Sequence, residues 1–195
     1  MSVYRMPRRL FGAAVVMILI AALGSYAGPA SKLSGKLANI QIDNFGQIND
    51  NYFRGAQPSD RDYRDLATIG VKTVIDLTRD GRENEASLVQ RAGMKFYRIP
   101  MTTSDRPSDA AVSQFLKLVN DPANQPVYVH CQGGRHRTGV MTAVYRMTQD
   151  GWTADRAYTE MKQYRFEGFP GHPVLKRFVF DFHSSFKRAA LVRAN

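Results

Sequence analysis

Cysteine is nearly absent from this 195-residue sequence, which contains one, and tryptophan also occurs once. A single thiol cannot form an internal disulfide, so a fold held together by such cross-links is excluded. The four histidines have no metal-ligand spacing with other ligand side chains, so we predict neither a metal site nor a cofactor. The sequence also lacks low-complexity tracts and solenoid repeats, which excludes a disordered or repeat architecture.

The composition that remains is that of one folded domain. Hydrophobic residues make up 44% of the chain and charged residues 23%, and the length is sufficient to bury a core. The formal net charge of +10 favours an acidic partner, such as a phosphorylated protein or a phosphorylated small molecule. The basic residues form no stripe interleaved with aromatic residues, so nucleic acid is not a predicted partner. The oligomeric state is left open.

Residues 1–27 have the layout of an export signal. Three arginines precede an apolar run: Arg5, Arg8 and Arg9. Small residues follow, and we expect a signal peptide cleaved after Ala27, with Ala30 as the next candidate, and a location in a bacterial periplasm. The alternative is an uncleaved N-terminal anchor, although an apolar run of about fifteen residues is shorter than the roughly twenty that a membrane span needs.

Short apolar runs alternate with helical patterns in the predicted domain, residues 51–195, which follows a lead-in over residues 28–50. A short strand or extended segment is predicted within NYFRGAQP, residues 51–58, ending in a turn at Gln57-Pro58, and strands are predicted over 71–77, 94–99 and 127–130. Helices are predicted from Ser59 or Asp60 to Gly70, over 83–92, after Ser108, and from near Thr138, Thr153 and His172. This order predicts an α/β fold with a central, mostly parallel sheet and helices on both faces. Ligands of such sheets bind beyond the carboxyl ends of the strands, where Cys131 lies.

The single cysteine lies in the stretch HCQGGRHRTG, residues 130–139, between a predicted buried strand and a predicted helix. Gly133 and Gly134 permit backbone angles in which successive N–H groups point into one concavity, and the helix start adds the positive end of its dipole. Arg137 can hold two phosphate oxygens with its planar guanidinium. A lone cysteine is often an inert buried thiol. In this positive environment, however, the thiolate of Cys131 is stabilised and can act as a nucleophile for phosphoryl transfer.

The stretch resembles the HCxxGxxR[ST]G loop of the cysteine-dependent protein tyrosine phosphatases, specifically their dual-specificity-like branch. All six fixed positions match: His130, Cys131, Gly134, Arg137, Thr138 and Gly139. The resemblance extends over residues 50–166, which look like secreted bacterial tyrosine phosphatases and like atypical dual-specificity phosphatases of plants and fungi. It implies a protein tyrosine phosphatase-like fold and hydrolysis of phosphomonoesters through a phosphocysteine intermediate.

The resemblance also implies a role for each matching residue. Cys131 would attack phosphorus, Thr138 would hydrogen-bond its sulfur, and His130 would orient the loop or be simply a neutral core histidine. The phosphate oxygens would be bound by the loop residues Gln132, Gly133, Gly134, Arg135, His136 and Arg137. The family takes its general acid from an aspartate roughly thirty residues before the cysteine, which favours Asp105, 26 residues before Cys131. Asp109 is the alternative, although the first turn of a helix gives it a structural role.

The substrate stays open between two classes. A phosphotyrosine-type monoester is the primary prediction. Arg135 and His136 put extra charge at the rim of the loop, which in related enzymes accompanies inositol polyphosphates or pyrophosphates, although Arg135 can equally be a solvated loop residue. A phosphate-binding pseudophosphatase is the non-enzymatic alternative. In the tail, apolar residues at helical spacing predict a helix that completes the core, with membrane-surface contact as the alternative.

Overall fold

The structure, a computed structural model, describes residues 37–168 and 170–194. The predicted export signal lies outside the described residues. The sheet has five strands: β1 (Gly46–Asn49), β2 (Tyr52–Gly55), β3 (Thr73–Thr78), β4 (Lys95–Met101) and β5 (Val127–His130). Six helices have bounds within the described residues: α1 (Asp62–Thr68), α2 (Glu85–Arg91), α3 (Asp109–Asn120), α4 (His136–Gln149), α5 (Ala154–Gln163) and α6 (Pro173–Ala194).

The strands lie in the order β1-β2-β5-β3-β4, and all pairings are parallel except the β1–β2 hairpin. The predicted mostly parallel sheet is therefore confirmed. β5 is the central strand, and its last residue, His130, pairs with Gly55 of β2 on one side and with Asp76 of β3 on the other. This register brings the carboxyl ends of three strands together immediately before Cys131.

Helices cover both faces of the sheet, as predicted. One apolar cluster packs under α3, α4, α5 and α6 and includes Phe115, Met141 and Leu175. The other packs under α1 and α2 and includes Leu66, Val89 and Tyr128. α4 is buried along most of its length because it lies between the sheet and the two helices that follow. Its first turn, which follows the cysteine loop, is therefore held rigidly.

The element boundaries differ from the predictions in several places. α1 begins at Asp62 without a side-chain cap; Asp62 instead accepts a hydrogen bond from the Ser59 N–H at 2.6 Å. Gly70 ends this helix region with φ +96°, a left-handed conformation that favours glycine. α4 begins at His136, two residues before the predicted start. β1 was not predicted, because Ile48 is the only buried residue in its short sequence GQIN.

The tail forms the predicted docking helix. Leu175, Phe178 and Val179 on α6 are buried in the core cluster that also contains residues of α4. Within the described part of the chain, no helix is long and apolar enough to cross a membrane.

Candidate active site

Cys131 is the first residue after the central strand β5, and 3% of it is exposed. It lies at the base of a cavity of about 340 Å³. The loop before α4 and the first two residues of α4 form most of the wall, and two more distant segments contribute one residue each: Thr103 and His172. The cysteine is thus sheltered from bulk solvent and still reaches a surface cavity.

The carbonyl oxygens of the loop after Cys131, residues 132–134, are bound from the side of β1 and β2. The contacts are Gln57 N–H to Gln132 O at 3.1 Å, Asn44 Nδ2 to Gly134 O at 2.8 Å and to Gly133 O at 3.4 Å, and Arg54 Nη2 to Gly134 O. The C=O and N–H of a trans peptide point in opposite directions. The N–H groups of the next residues, Gly133 to Arg135, are therefore turned away from these donors. We call this set of amides the nest, and it is an anion-binding arrangement.

Gly134 is the position in the nest where only glycine fits. Its φ of +63° lies in the left-handed region, and a Cβ there would lie 2.4 Å from the carbonyl carbon of Gly55. The loop therefore rests directly on the end of β2. This close approach explains the fixed glycine of the motif in steric terms.

Arg137 lies in the first turn of α4 with 9% of its surface exposed. Its Nη1 donates to the Met101 carbonyl at 3.2 Å and lies 4.0 Å from Asp80 Oδ1. Its Nε is buried and has no hydrogen-bond partner among the described residues. The guanidinium lines the Cys131 cavity, so it is anchored at one end and has a donor left for a ligand.

Thr138, the next residue of α4, is fully buried. No described residue lies within hydrogen-bonding distance of its hydroxyl in a suitable geometry. A buried hydroxyl without a partner is costly unless it acts on a ligand or a reaction intermediate. The nest, the buried thiol, the anchored arginine and this hydroxyl together form a site for a tetrahedral dianion.

A protein family described as a DSP-PTPase phosphatase fused to NAD+ kinase matches residues 39–172, more than half of the chain. The chain belongs to this family. It is 27% identical over 159 residues to the dual specificity phosphatase TpbA of Pseudomonas aeruginosa, covering 75% of this chain and 71% of that protein. It is 25% identical over 133 residues to the inositol diphosphatase SIW14 of Saccharomyces cerevisiae, covering 65% and 47%.

Solved structures agree with this assignment. A crystal structure of a Cys-to-Ser form of P. aeruginosa TpbA in complex with phosphotyrosine superposes with a TM-score of 0.61. The two chains are 25% identical, and the match covers 70% of this chain and 82% of that one. This member of the family is accordingly a cysteine-dependent phosphatase of the protein tyrosine phosphatase type.

Behind the loop of this phosphatase, His130 is completely buried against Glu85, the first residue of α2. The His130 Nε2 and Glu85 Oε1 atoms lie 2.9 Å apart. The same Glu85 oxygen accepts hydrogen bonds from Tyr63 Oη at 2.7 Å and from Gln57 Nε2 at 2.8 Å. Burial opposes ionisation of Glu85, but His130, Tyr63 and Gln57 outweigh it and lower the pKa of Glu85 to about 2. The residue before the nucleophile is thus held by a buried carboxylate that the sequence analysis did not identify.

Asp76 completes the buried cluster. Its carboxylate accepts hydrogen bonds from the Thr78 N–H and from Arg98 Nε, at 2.8 and 2.7 Å, which gives it a structural role within β3. Asp76, Glu85 and His130 offer ligand atoms close enough to hold a metal ion. Arg98, however, already contacts both carboxylates, with its Nη2 atom 3.5 Å from Glu85 Oε2. Its positive charge offsets one of the two negative charges and disfavours a metal cation between them.

The two candidate acids of the phosphatase lie on either side of the start of α3. Asp105 is exposed, and its Oδ2 accepts a hydrogen bond from Thr102 Oγ1 at 2.6 Å. It lines a cavity that shares no residue with that of Cys131, and Thr103 is the residue of its loop that lines the Cys131 cavity. Asp109 lies in the first turn of α3, which Ser108 caps as predicted. The sequence analysis did not identify Asp80, a third aspartate near the site. Its position could have indicated it, because it follows the carboxyl end of β3, where ligands of parallel sheets bind.

The rim of the Cys131 cavity contains a histidine pair. His136 and His172 have ring centroids 3.9 Å apart, and Phe166 contacts His136 edge-on. Burial and the positive potential of His172 lower the pKa of His136 to about 4. The expectation that His136 adds charge at the rim was therefore wrong; near pH 7 it is neutral. Arg135 lines the cavity, as predicted. The sequence did not indicate that His172 lies at this rim, because it is far from the cysteine loop along the chain, just before the tail helix.

Proposed function

We propose that this phosphatase hydrolyses phosphomonoesters through a phosphocysteine on Cys131. The thiolate attacks phosphorus while the bond from phosphorus to the leaving oxygen breaks. The nest amides and the Arg137 guanidinium bind the remaining oxygens as charge develops. Water then attacks the phosphocysteine, inorganic phosphate departs, and Thr138 donates a hydrogen bond to the leaving sulfur. The observation that carries this proposal is the set of loop carbonyls turned outward above a buried thiol.

Asp105 is the proposed general acid. It would protonate the leaving oxygen in the first step and accept a proton from the attacking water in the second. Its carboxylate would exchange the hydrogen bond from Thr102 for one to the substrate, which requires the exposed loop to bring Asp105 from its own cavity toward that of Cys131. Asp105 is favoured because it lies on the same loop as Thr103, which lines the Cys131 cavity.

The primary proposed substrate is a phosphotyrosine-type monoester on a protein. The support comes from the family, whose member TpbA is called a dual specificity phosphatase and has been crystallised with phosphotyrosine. The buried Cys131 also favours a substrate that extends its phosphate from the parent molecule.

A second candidate substrate is a small molecule with several phosphates, such as an inositol polyphosphate or pyrophosphate. A polar cavity adjoins that of Cys131 and shares Thr103, Gln132 and Arg137 with it. Its other polar lining consists of the Asp80 carboxylate and three donors: Arg79, Thr102 and Ser104. These donors suit additional phosphate groups, and the relative SIW14 is called an inositol diphosphatase.

The experiment is a substrate panel with the purified chain and its Cys131→Ser variant, with a metal chelator present throughout. We expect hydrolysis of an aryl phosphate that survives the chelator and is abolished in the variant. Comparison of kcat/KM for a phosphotyrosine peptide, a phosphoserine peptide and an inositol hexakisphosphate then assigns the substrate class. Turnover retained in the variant would refute the phosphocysteine, and the highest kcat/KM on the inositol phosphate would replace the primary substrate by the second candidate.

We also propose that the protein is exported, with residues 1–27 as its signal. The support is the order of three basic residues, an apolar run and small residues up to Ala27. Fractionation of bacteria that produce the full chain, followed by N-terminal sequencing, tests this. A periplasmic chain that begins at residue 28 is expected. A cytoplasmic chain of full length would contradict export, and a full-length chain in the membrane would indicate the anchor.

A further inference from the structure

Arg54 on β2 is a fully buried cation beneath the active-site loop. None of the ion pairs among the described residues includes it. Its Nη2 donates to the Gly134 carbonyl, whereas its Nε and Nη1 are buried and have no hydrogen-bond partner in the same part of the chain. A buried guanidinium without a carboxylate is unusual, because removing a charge from water costs several kcal/mol.

Tyr164 closes this position from solvent. The guanidinium carbon of Arg54 lies 3.9 Å from the centroid of the Tyr164 ring, a cation–π distance. On β1, opposite Arg54, Gly46 leaves room for the ring; a Cβ there would lie 2.1 Å from the Tyr164 hydroxyl oxygen. The ring covers the charge but does not neutralise it.

Arg54 binds the outer side of the peptide whose N–H, that of Arg135, belongs to the nest. Arg54 interacts electrostatically with Tyr52, Tyr164 and Glu160 and, more weakly, with Cys131. Its hydrogen bond fixes the Gly134 carbonyl on the outer side of the nest. We propose that Arg54 is a positioning residue whose counter-ion is the anion in the active site, first the Cys131 thiolate and then the bound phosphate. The inference rests on the proposed chemistry at Cys131. It adds a positive charge below the nest to that of Arg137 at its side.

Arg54→Met tests the proposal, because methionine is unbranched and apolar and removes the charge. In a Cys131→Ser background, titration calorimetry with inorganic phosphate measures the affinity of the folded nest. We expect Arg54→Met to weaken phosphate binding by at least about tenfold, the effect of one hydrogen-bonded charge. We expect Arg54→Lys, which keeps the charge, to recover a large part of this loss.

Thermal unfolding provides a readout that a purely structural role would not give. Without phosphate, Arg54→Met should be at least as stable as its parent, because an unpaired buried charge has been replaced by an apolar group. Phosphate should raise the Tm of the parent and have little effect on the variant. Arg156→Met is the matched control: it removes an exposed arginine that stacks on Trp152 at 3.8 Å, away from the nest, and should leave phosphate affinity unchanged.

This design distinguishes failure of the anion site from failure of the role of Arg54. If the Cys131→Ser parent itself binds no phosphate, the proposed anion site fails, and the inference fails with it. If the parent binds phosphate and Arg54→Met binds it within about twofold, the role of Arg54 is overturned while the anion site stands. If Arg54→Met does not fold, Arg54→Lys decides: because lysine keeps the charge, a loss of phosphate affinity of about tenfold or more in the Lys variant would overturn the counter-ion argument.

Discussion

Replacement of Glu85 by glutamine tests the buried cluster behind the phosphate-binding loop, since it removes one charge and preserves the size of the side chain. Glu85 is completely buried and lies 2.9 Å from His130 Nε2. Its pKa is lowered from 4.5 to about 2 against the opposing effect of burial. The variant therefore removes a carboxylate that the folded state holds in its charged form.

The magnitude follows from the size of this pKa change. Each pKa unit corresponds to about 1.4 kcal/mol, so the shift contributes about 3 kcal/mol to the free energy of unfolding at pH 7. Because the pKa is lower in the folded state, the contribution is present above pH 4.5 and is lost as the pH falls toward 2. The wild type should thus exceed Glu85→Gln in stability by about 3 kcal/mol at pH 7 and by less than half of that near pH 3.

Urea unfolding followed by far-ultraviolet circular dichroism, at several pH values from 7 to 3, measures this difference directly. Glu83→Gln is the control, because Glu83 is exposed two residues before Glu85 and its substitution should change stability little at any pH. A loss below about 1 kcal/mol at pH 7, or a loss that does not shrink with acid, would refute the reasoning.

Three further predictions concern the site. Asp105→Asn should slow hydrolysis of esters with poor leaving groups about 100-fold and hydrolysis of esters with good leaving groups far less. If Asp105→Asn instead slows both kinds of ester equally, and Asp109→Asn slows mainly those with poor leaving groups, the general acid is Asp109. Gly134→Ala should lower the free energy of unfolding, measured in urea, by about 2 kcal/mol or more, because φ is +63° and the new Cβ would collide with the backbone of Gly55. Gly133→Ala is the control: its new Cβ would have only the flexible side chain of Arg135 nearby, so the loss of stability should be smaller. His172→Ala should reduce kcat/KM for an inositol polyphosphate more than for a phosphotyrosine peptide if the cavity rim selects multiple phosphates, and equal reductions would argue against that role.

The residues that could be predicted from the sequence are those whose contacts are local. Cys131, the loop glycines, Arg137 and Thr138 follow one another along the chain, and the strand-loop-helix order that presents them is itself a local hydropathy pattern. The parallel sheet was predictable for the same reason, because its central strands, TVIDLT and VYVH, are short segments rich in β-branched and apolar residues.

The supporting residues could not be predicted, because they depend on contacts between distant segments. An arginine in the sequence YFRG indicates an exposed position on a strand, yet Arg54 is buried under a loop 80 residues away. Asn44 reaches the same loop from 90 residues away. The lowered pKa of His136 was also unpredictable, since it depends on the burial of its ring and on His172 beside it.

The outer hydrogen bonds of the loop have a consequence for protein engineering. The ten-residue signature does not determine its own shape; the turn is imposed by Asn44, Arg54 and Gln57, which all precede it by more than seventy residues. A graft of residues 130–139 onto another strand-loop-helix scaffold would transfer the nucleophile without the template that orients the amides. A functional transplant has to include the hairpin of β1 and β2 and the turn that follows it, so the smallest transferable phosphate site in this fold is a discontinuous one.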